Sequence, residues 1–223
     1  TDIVQKEMYT FNDKGDRSIT LKPEGTAGFV RMFVENNLFA DIQPTKMYYL
    51  YNSVFRYERP QAGRLREHHQ FGVEFFGASK PSADAECIAI ATELLGTLGC
   101  DGLTVRLNSI GCPKCRPQYH EALKAYLREH YDGLCETCKV RFEQNPLRVL
   151  DCKVESCQKI ANGAPIIGDY LCDECRDHQS GLLSLLDGMG VRYEKDPRLV
   201  RGLDYYTKTV FEITSESIGS QSA

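Results

Sequence analysis

The sequence predicts an α+β protein: an antiparallel sheet flanked by helices, interrupted by a mainly helical inserted subdomain. Three observations predict it. An aromatic-rich stretch turns back on itself between residues 46 and 77 as a long hairpin. Ala83–Leu98 has helical character, with Asp84 and Glu86 where they oppose the helix dipole and Gly99 where the helix must stop. Eight of the ten cysteines crowd between Cys112 and Cys175, mostly as close pairs, which is the pattern of metal ligands rather than of scattered core thiols.

The elements follow in chain order. Lys6–Phe11 and Arg17–Leu21 read as strands about a turn at Asn12–Asp16, whose Asn, Asp and Gly suit a reversal. Gly25–Asn37 reads as a helix, because Phe29, Val30, Phe33 and Val34 recur at helical spacing. Lys46–Glu58 is rich in Tyr, Val and Phe and reads as a strand. Arg59–His68 is a polar, arginine-rich loop, and Gln70–Gly77 is the returning strand. After the helix at Ala83–Leu98 comes a strand at Leu103–Asn108. Gln118–Tyr131 and Gln179–Met189 read as amphipathic helices around the cysteines. Val191–Glu194 and Tyr206–Ile213 return to strand character, and Ser215–Ala223 reads as a frayed or truncated terminus. The expected organisation is a first core segment at 1–108, a cysteine-rich helical insertion at 109–190 and a second core segment at 191–223.

Composition sets outer limits. A chain of 223 residues supports one good core, or one core and a small satellite. The net charge of −4 gives no global attraction to nucleic acid or to an anionic membrane, so a nucleic-acid partner would have to meet a local basic patch. There is no run of 18 apolar residues and no visible signal peptide, so neither a membrane partner nor export is expected.

Three strings carry chemistry. In Phe55-Arg56-Tyr57-Glu58-Arg59-Pro60, running on to Arg64, Gln70 and Glu74, Arg56 and Glu58 are two apart on a predicted strand and share a face. Arginines at two heights can hold two phosphates of one nucleotide, although a hairpin with solvated charges has the same pattern. Lys22-Pro23-Glu24-Gly25-Thr26 places a carboxylate and a hydroxyl just before a helix, which suits either N-capping or reception of an ammonium. Arg201-Gly202-Leu203-Asp204-Tyr205-Tyr206-Thr207 reads by composition as a turn into an aromatic strand.

The order of residues adds to this. Phe55–Gly77 resembles motif 2 of the class II aminoacyl-tRNA synthetases and specifically the histidyl family, as do the other two strings. The resemblance implies that Arg56 holds the ATP α-phosphate, that Glu58 lies near the adenine and that Arg64 reaches the far phosphates. It gives Glu24 and Thr26 to the amino end of histidine, and Gln70, Glu74, Tyr205 and Tyr206 to the histidine pocket. Arg201 would stand at the α-phosphate, opposite the attacking carboxylate, and stabilise charge as phosphorus becomes five-coordinate. Catalytic weight therefore falls on Arg201 and Arg56. The implied reaction is ATP-dependent formation of histidyl-adenylate and transfer to the tRNA for histidine. ATP with Mg2+ is a substrate, the parent protein is a homodimer, and the setting is cytoplasmic. Motifs 1 and 3 and an anticodon-binding domain are not in this sequence, so the resemblance implies a fragment that is not competent alone. A regulatory paralogue of the type that serves ATP phosphoribosyltransferase is the alternative; retention of Arg56, Arg64 and Arg201 favours the ligase.

The cysteines fall as Cys112/Cys115, Cys135/Cys138, Cys152/Cys157 and Cys172/Cys175. Eight thiolates match two tetrahedral zinc sites of a closed, structural kind. Four couples combine in three ways, and sequence does not choose among them. Free thiols, disulfides and an iron–sulfur cluster are the other readings. Cys87 and Cys100 read as core residues. His120, His130 and His178 lie near the cysteines and could replace a ligand, while His68 and His69 fall at the hairpin's loop–strand junction. Lys114, Arg116, Lys139, Arg141 and Lys153 give the insertion enough positive charge for a contact with tRNA.

Overall fold

A computed structural model of the chain describes residues 7–57, 65–200 and 206–215. It divides between Ala83 and Asp84 into two units.

The first unit opens with β1 (Thr10–Asn12) and β2 (Ser18–Thr20), paired antiparallel. The Asp13 carboxylate accepts the N–H groups of Gly15 at 2.8 Å and Arg17 at 3.0 Å, which fixes the turn. These strands are shorter than the sequence suggests. Every side chain in them is exposed, so the turn, the ladder and a hydrogen bond between the Thr10 and Thr20 hydroxyls at 3.0 Å hold the pair. Helix α1 (Thr26–Glu35) buries Phe33, whose ring stacks on Phe76 with centroids 3.8 Å apart. The long hairpin is β3 (Thr45–Phe55) against β4 (Glu67–Phe76). Its register sets Met47 opposite Glu74, Tyr49 opposite Gly72 and Tyr51 opposite Gln70. All six side-chain positions therefore share one face, because side chains alternate along a strand. A register shift between Tyr51 and Val54 turns the inward face over, and Val54 becomes fully buried. The strand expected to run to Glu58 ends at Phe55, so Arg56 lies just beyond it, and Glu58 is outside the described residues.

The second unit contains α2 (Pro81–Thr97, from Asp84 on), β5 (Thr104–Ser109), β6 (Tyr193–Lys195) and β7 (Thr209–Thr214). The sheet order is β6-β5-β7. β7 runs antiparallel to β5, but β6 runs parallel to it. A parallel neighbour needs a long crossover, and the whole cysteine-rich segment supplies one. That segment folds as α3 (Arg116–Glu129), α4 (Glu136–Gln144), α5 (Glu155–Asn162) and α6 (Asp173–Gly188), joined by short 3-10 turns. Two helices were anticipated there and four are found. α4 and α5 are only 9 and 8 residues long, and their buried positions are Cys138, Phe142, Cys157 and Ala161, which leave a weak hydrophobic period. α6 starts six residues before the expected Gln179. Its first turn is polar, with Asp173 and Glu174 complementing the dipole, and its apolar stripe begins only at Leu182.

Two cores meet along α6. Its Cys175 packs with Tyr119, Leu123 and Leu127 of α3, whereas its Leu182 and Leu186 pack with Ala85 and Ile88 of α2 and Val105 and Leu107 of β5. Between them the His178 ring nitrogen lies 2.8 Å from an Asp84 carboxylate oxygen. Among the described residues no helix is long and apolar enough to cross a membrane.

A Cβ at position 72 would stand 2.2 Å from Tyr49 Cζ. Gly72→Ala is therefore expected to displace Tyr49 and cost about 1–3 kcal/mol in urea unfolding, as overpacked sites do. Tyr49→Ala in the same chain should remove most of that increment, and strict additivity of the two changes would contradict the close approach.

Candidate functional site

Two groupings of side chains emerge, one in each unit. In the first unit the segment at Lys22–Thr26 is pinned onto the face of the hairpin. The Phe55 N–H donates to the Lys22 carbonyl at 2.8 Å, and Arg56 Nε donates to the Pro23 carbonyl at 2.9 Å. The Gly25 N–H donates to Gln70 Oε1 at 2.8 Å. The Lys22 ammonium sits over the Tyr51 ring, 3.3 Å from its centroid. Gly25 lies against the rings of Tyr49 and Tyr51, where an added Cβ would come within 2.7 Å of both.

This brings Glu24, Thr26, Gln70 and Glu74 together on one face. The Glu24 carboxylate accepts the N–H groups of Thr26 at 2.6 Å and Ala27 at 2.8 Å, so the capping role is present. The Thr26 hydroxyl is 3.2 Å from the Tyr49 hydroxyl and also serves the Glu74 carboxylate. Glu74 is half-buried. Desolvation raises its pKa above the ordinary 4.5, the Thr26 hydrogen bond opposes this, and the neighbouring Glu24 charge adds to it. Burial likewise pushes the Tyr49 phenol up. Two carboxylates, a hydroxyl and an amide thus line an aromatic-walled face, and among the described residues no positive charge offsets the desolvation of Glu74. Such a set suits a ligand ammonium.

Tyr49 and Tyr51 were not singled out from sequence, where aromatic residues in a strand read as core. Their alternation with Gln70 and Glu74 becomes visible once the hairpin register is known. Arg56, besides its bond to Pro23, donates its N–H to the Arg66 carbonyl at 2.8 Å and lies 4.0 Å from Glu7. Glu58, Arg64, Arg201 and Tyr205 lie outside the described residues. Tyr206 is in the second unit, half-buried against Ile110, Leu199 and Val210, and its carbonyl accepts from Arg116.

The second grouping is sulfur. Of the three possible combinations, the structure joins Cys112, Cys115, Cys172 and Cys175 in one cluster and Cys135, Cys138, Cys152 and Cys157 in another, with ligand atoms all within 4.8 Å of one another in each. All ten cysteines are free thiols. The Sγ separations include 3.6 Å for Cys112–Cys115, 3.8 Å for Cys112–Cys172 and for Cys115–Cys175, and 3.9 Å for Cys135–Cys152. Four thiolates about 2.3 Å from a central zinc form a tetrahedron with edges of about 3.8 Å, so the donor set fits that ion as it stands. Backbone N–H groups also point at sulfur: Cys112 N is 3.1 Å from Cys115 Sγ, and Cys135 N is 3.2 Å from Cys157 Sγ. N–H groups in the Cys112–Cys115 turn, that of Cys115 foremost, lower the Cys112 pKa to about 6 against the effect of burial. Burial drives Cys138 and Cys175 upward. Gly111, at φ 65°, would bring a Cβ to 2.8 Å from Cys115 Sγ, so the first cluster needs glycine there. The histidines named as possible substitutes are in neither cluster. His178 faces Asp84, and His130 Nδ1 lies 2.9 Å from the Tyr126 carbonyl. Cys87 and Cys100 are half-buried and outside both.

Residues 1–222 match the family model described as histidyl-tRNA synthetase. The chain is 63% identical over 221 residues to a histidine–tRNA ligase of Caldanaerobacter subterraneus subsp. tengcongensis, covering 99% of this chain and 53% of that protein. It is 61% identical over 218 residues to that of Clostridium botulinum strain Loch Maree, covering 98% and 52% respectively. The structure of apo Staphylococcus aureus histidyl-tRNA synthetase superposes with a TM-score of 0.75 at 39% identity, covering 96% of this chain and 50% of that one. The chain therefore spans about half the length of the relatives it matches. By a family model that runs almost from end to end, it belongs to the histidyl-tRNA synthetase family.

Proposed function

We propose that this chain supplies the histidine- and ATP-handling residues of a histidine–tRNA ligase. The observation that carries the reading is the convergence of Glu24, Thr26, Gln70 and Glu74 on one face of the hairpin that leads into Arg56. Glu24 has its oxygens engaged by the first N–H groups of α1, so Glu74, desolvated and near a like charge, is the carboxylate that gains most from a ligand ammonium. Thr26 and Gln70 fix the amino end of the amino acid, and the peptide with Tyr205 and Tyr206 receives the imidazole. With the substrate held so, its carboxylate attacks the ATP α-phosphate and pyrophosphate leaves. Arg56 and Arg64 hold the phosphates, with Glu58 at the adenine, and Arg201 stabilises charge at phosphorus without itself changing protonation. Magnesium accompanies ATP and shields its outer phosphates. A 3′-terminal ribose hydroxyl of the tRNA for histidine then attacks the carbonyl of the adenylate, the acyl–phosphate bond breaks, and AMP leaves. In the full-length protein this work belongs to a cytoplasmic homodimer. Retention of Arg56, Arg64 and Arg201 supports the ligase over a regulatory paralogue that binds histidine alone.

We infer that each four-cysteine cluster holds a structural zinc. Zinc would neutralise the thiolates and, with all four positions filled by sulfur, leave none open for catalysis. The ions would fasten the helical insertion rather than take part in the reaction.

Measurements on Arg201, on Glu74 and on metal content test these readings. In the full-length protein, Arg201→Ala should lower histidine-dependent ATP–pyrophosphate exchange by about 10²-fold or more, and near-normal exchange would remove Arg201 from the reaction. Glu74→Gln should weaken histidine binding by about tenfold in calorimetry, as expected for loss of a charge-assisted bond. The same change should raise stability at pH 8. The folded pKa of Glu74 is raised, so ionisation above it disfavours the fold, and the gain should shrink as pH falls toward the unfolded value of 4.5. A pH-independent effect would contradict the desolvated carboxylate. Elemental analysis should find about two zinc per chain, and about one in Cys138→Ser. Chelation should lower helix content by circular dichroism, with recovery on adding zinc. Metal-free protein with full native helix content would end the zinc reading.

A further inference from the structure

Arg116, which the sequence offers with four other basic residues for an RNA contact, is engaged by backbone. It opens α3 directly after Cys115, and its N–H donates to the Cys112 carbonyl at 3.0 Å. Its side chain meets two carbonyls from distant parts of the chain: Nε donates to Ile110 at 3.3 Å, and Nη2 donates to Tyr206. A planar fork with donors at fixed angles suits such a double contact, and a charged donor makes the stronger bond. The turn from Cys112 to Cys115 therefore sets where Arg116 stands, and Arg116 sets where the Tyr206 carbonyl stands.

Other contacts converge on the same place. The Lys208 N–H donates to the Gly111 carbonyl, and the Ile110 N–H donates to the Lys208 carbonyl, each at 2.8 Å. Gly111 and Lys208 both have left-handed backbone, at φ 65° and 59°. Glycine adopts that conformation readily and lysine does not, so Lys208 keeps it only because its surroundings fix it. The Lys208 ammonium reaches Glu174, next to Cys175, at 2.9 Å; Glu174 is exposed, so this pair holds less than the backbone bonds do. On the apolar side Tyr206 packs on Ile110, Leu199 and Val210, and the Leu199 carbonyl accepts from Asn108 at 3.1 Å. Asn108, Ile110, Gly111 and Arg116, all in the passage from β5 into α3, thus fasten Leu199, Tyr206 and Lys208.

We infer that Arg116 is a positioning residue for histidine binding and acts through Tyr206. The inference rests on the reading that gives Tyr206 to the imidazole pocket. It does not rest on zinc, because these contacts are made with the thiols free. Apolar packing is non-directional and leaves a ring free to slide on its neighbours, whereas a hydrogen bond to the carbonyl of the same residue fixes its place along the chain. Loss of Arg116 therefore shows in the use of histidine and hardly in the use of ATP.

The test measures ATP–pyrophosphate exchange in the full-length protein and its Arg116→Gln variant. The KM for histidine should rise about tenfold, as for a lost charge-assisted bond, while the KM for ATP stays within about twofold. Amide hydrogen exchange should quicken at residues 206–209 and not in α2. Tyr206→Ala should itself raise the histidine KM, and adding Arg116→Gln to it should change little more, because both act through one side chain. Arg116→Lys keeps the charge but not the fork; it should still raise the histidine KM, and it decides the matter if Arg116→Gln folds poorly. An unchanged histidine KM in a folded Arg116 variant, an equal rise for both substrates, or full additivity with Tyr206→Ala would overturn the inference. If Tyr206→Ala leaves the histidine KM unchanged, the pocket reading of Tyr206 fails and takes the inference with it. A rise in Tyr206→Ala with none in Arg116→Gln removes the inference alone.

Discussion

The approach of Cys112 and Cys115 to Cys172 and Cys175 is the constraint on which the second unit depends. It joins residues 60 apart in sequence, the end of β5 and the start of α6. Once α6 starts there, its next turns put Leu182 and Leu186 onto Ile88, Val105 and Leu107, and the chain leaves it in position to lay β6 parallel to β5. The sulfur cluster and the sheet core are therefore consecutive stretches of one helix. His178, between them, ties that helix to α2 through Asp84. The second cluster, Cys135, Cys138, Cys152 and Cys157, is nested inside the first in sequence and gathers α4, α5 and the turn between them. An ion held by such thiolates would bind the folded chain alone, so its binding free energy would add to folding.

The first unit is governed by a different constraint, close packing about Tyr49. Its ring occupies the space that side chains at positions 25 and 72 would need, and its hydroxyl reaches Thr26. The cost of this arrangement is carried by Glu74, which is desolvated and kept near the Glu24 charge. A folded protein keeps such a group when a ligand is to repay the desolvation, and preorganised sites are built this way. Stability and binding should accordingly respond to Glu74 with opposite sign, which a residue present only for packing would not do.

Much of this was legible in sequence because it depends on local pattern. The alternation of Tyr, Leu and Tyr in Met47–Tyr51 and the stop at Gly99 give the hairpin and α2 within a few residues of their observed bounds. The Glu24/Thr26 and Gln70/Glu74 strings gave the composition of the first site but not its geometry. Whether Glu24 caps a helix or faces a ligand depends on Gly25 reaching Gln70, 45 residues away. The pairing of the cysteines was undetermined for the same reason, since each couple is locally equivalent. α4 and α5 were missed because cysteine stands where leucine would announce a helix. The strand expected at Val191–Glu194 is found as β6, but its parallel direction was not foreseen, because three residues carry no signal of strand direction.

The composition of the cysteine-rich core explains why sulfur stands where leucine was expected. Among its sixteen buried residues six are cysteines, and the buried leucines are Leu123, Leu127, Leu134, Leu150 and Leu171. Thiols are small, and burial of Cys138 and Cys175 as neutral groups adds little apolar area compared with a leucine in each place. Helices of 8 and 9 residues do not hold alone in water. The thiols stand among Tyr119, Phe142 and these leucines, and their sulfurs are at the spacing a tetrahedral ion requires. The helical insertion thus combines a packed core with two tetrahedral donor sets, whereas the sheet of β5, β6 and β7 packs on aliphatic side chains without sulfur.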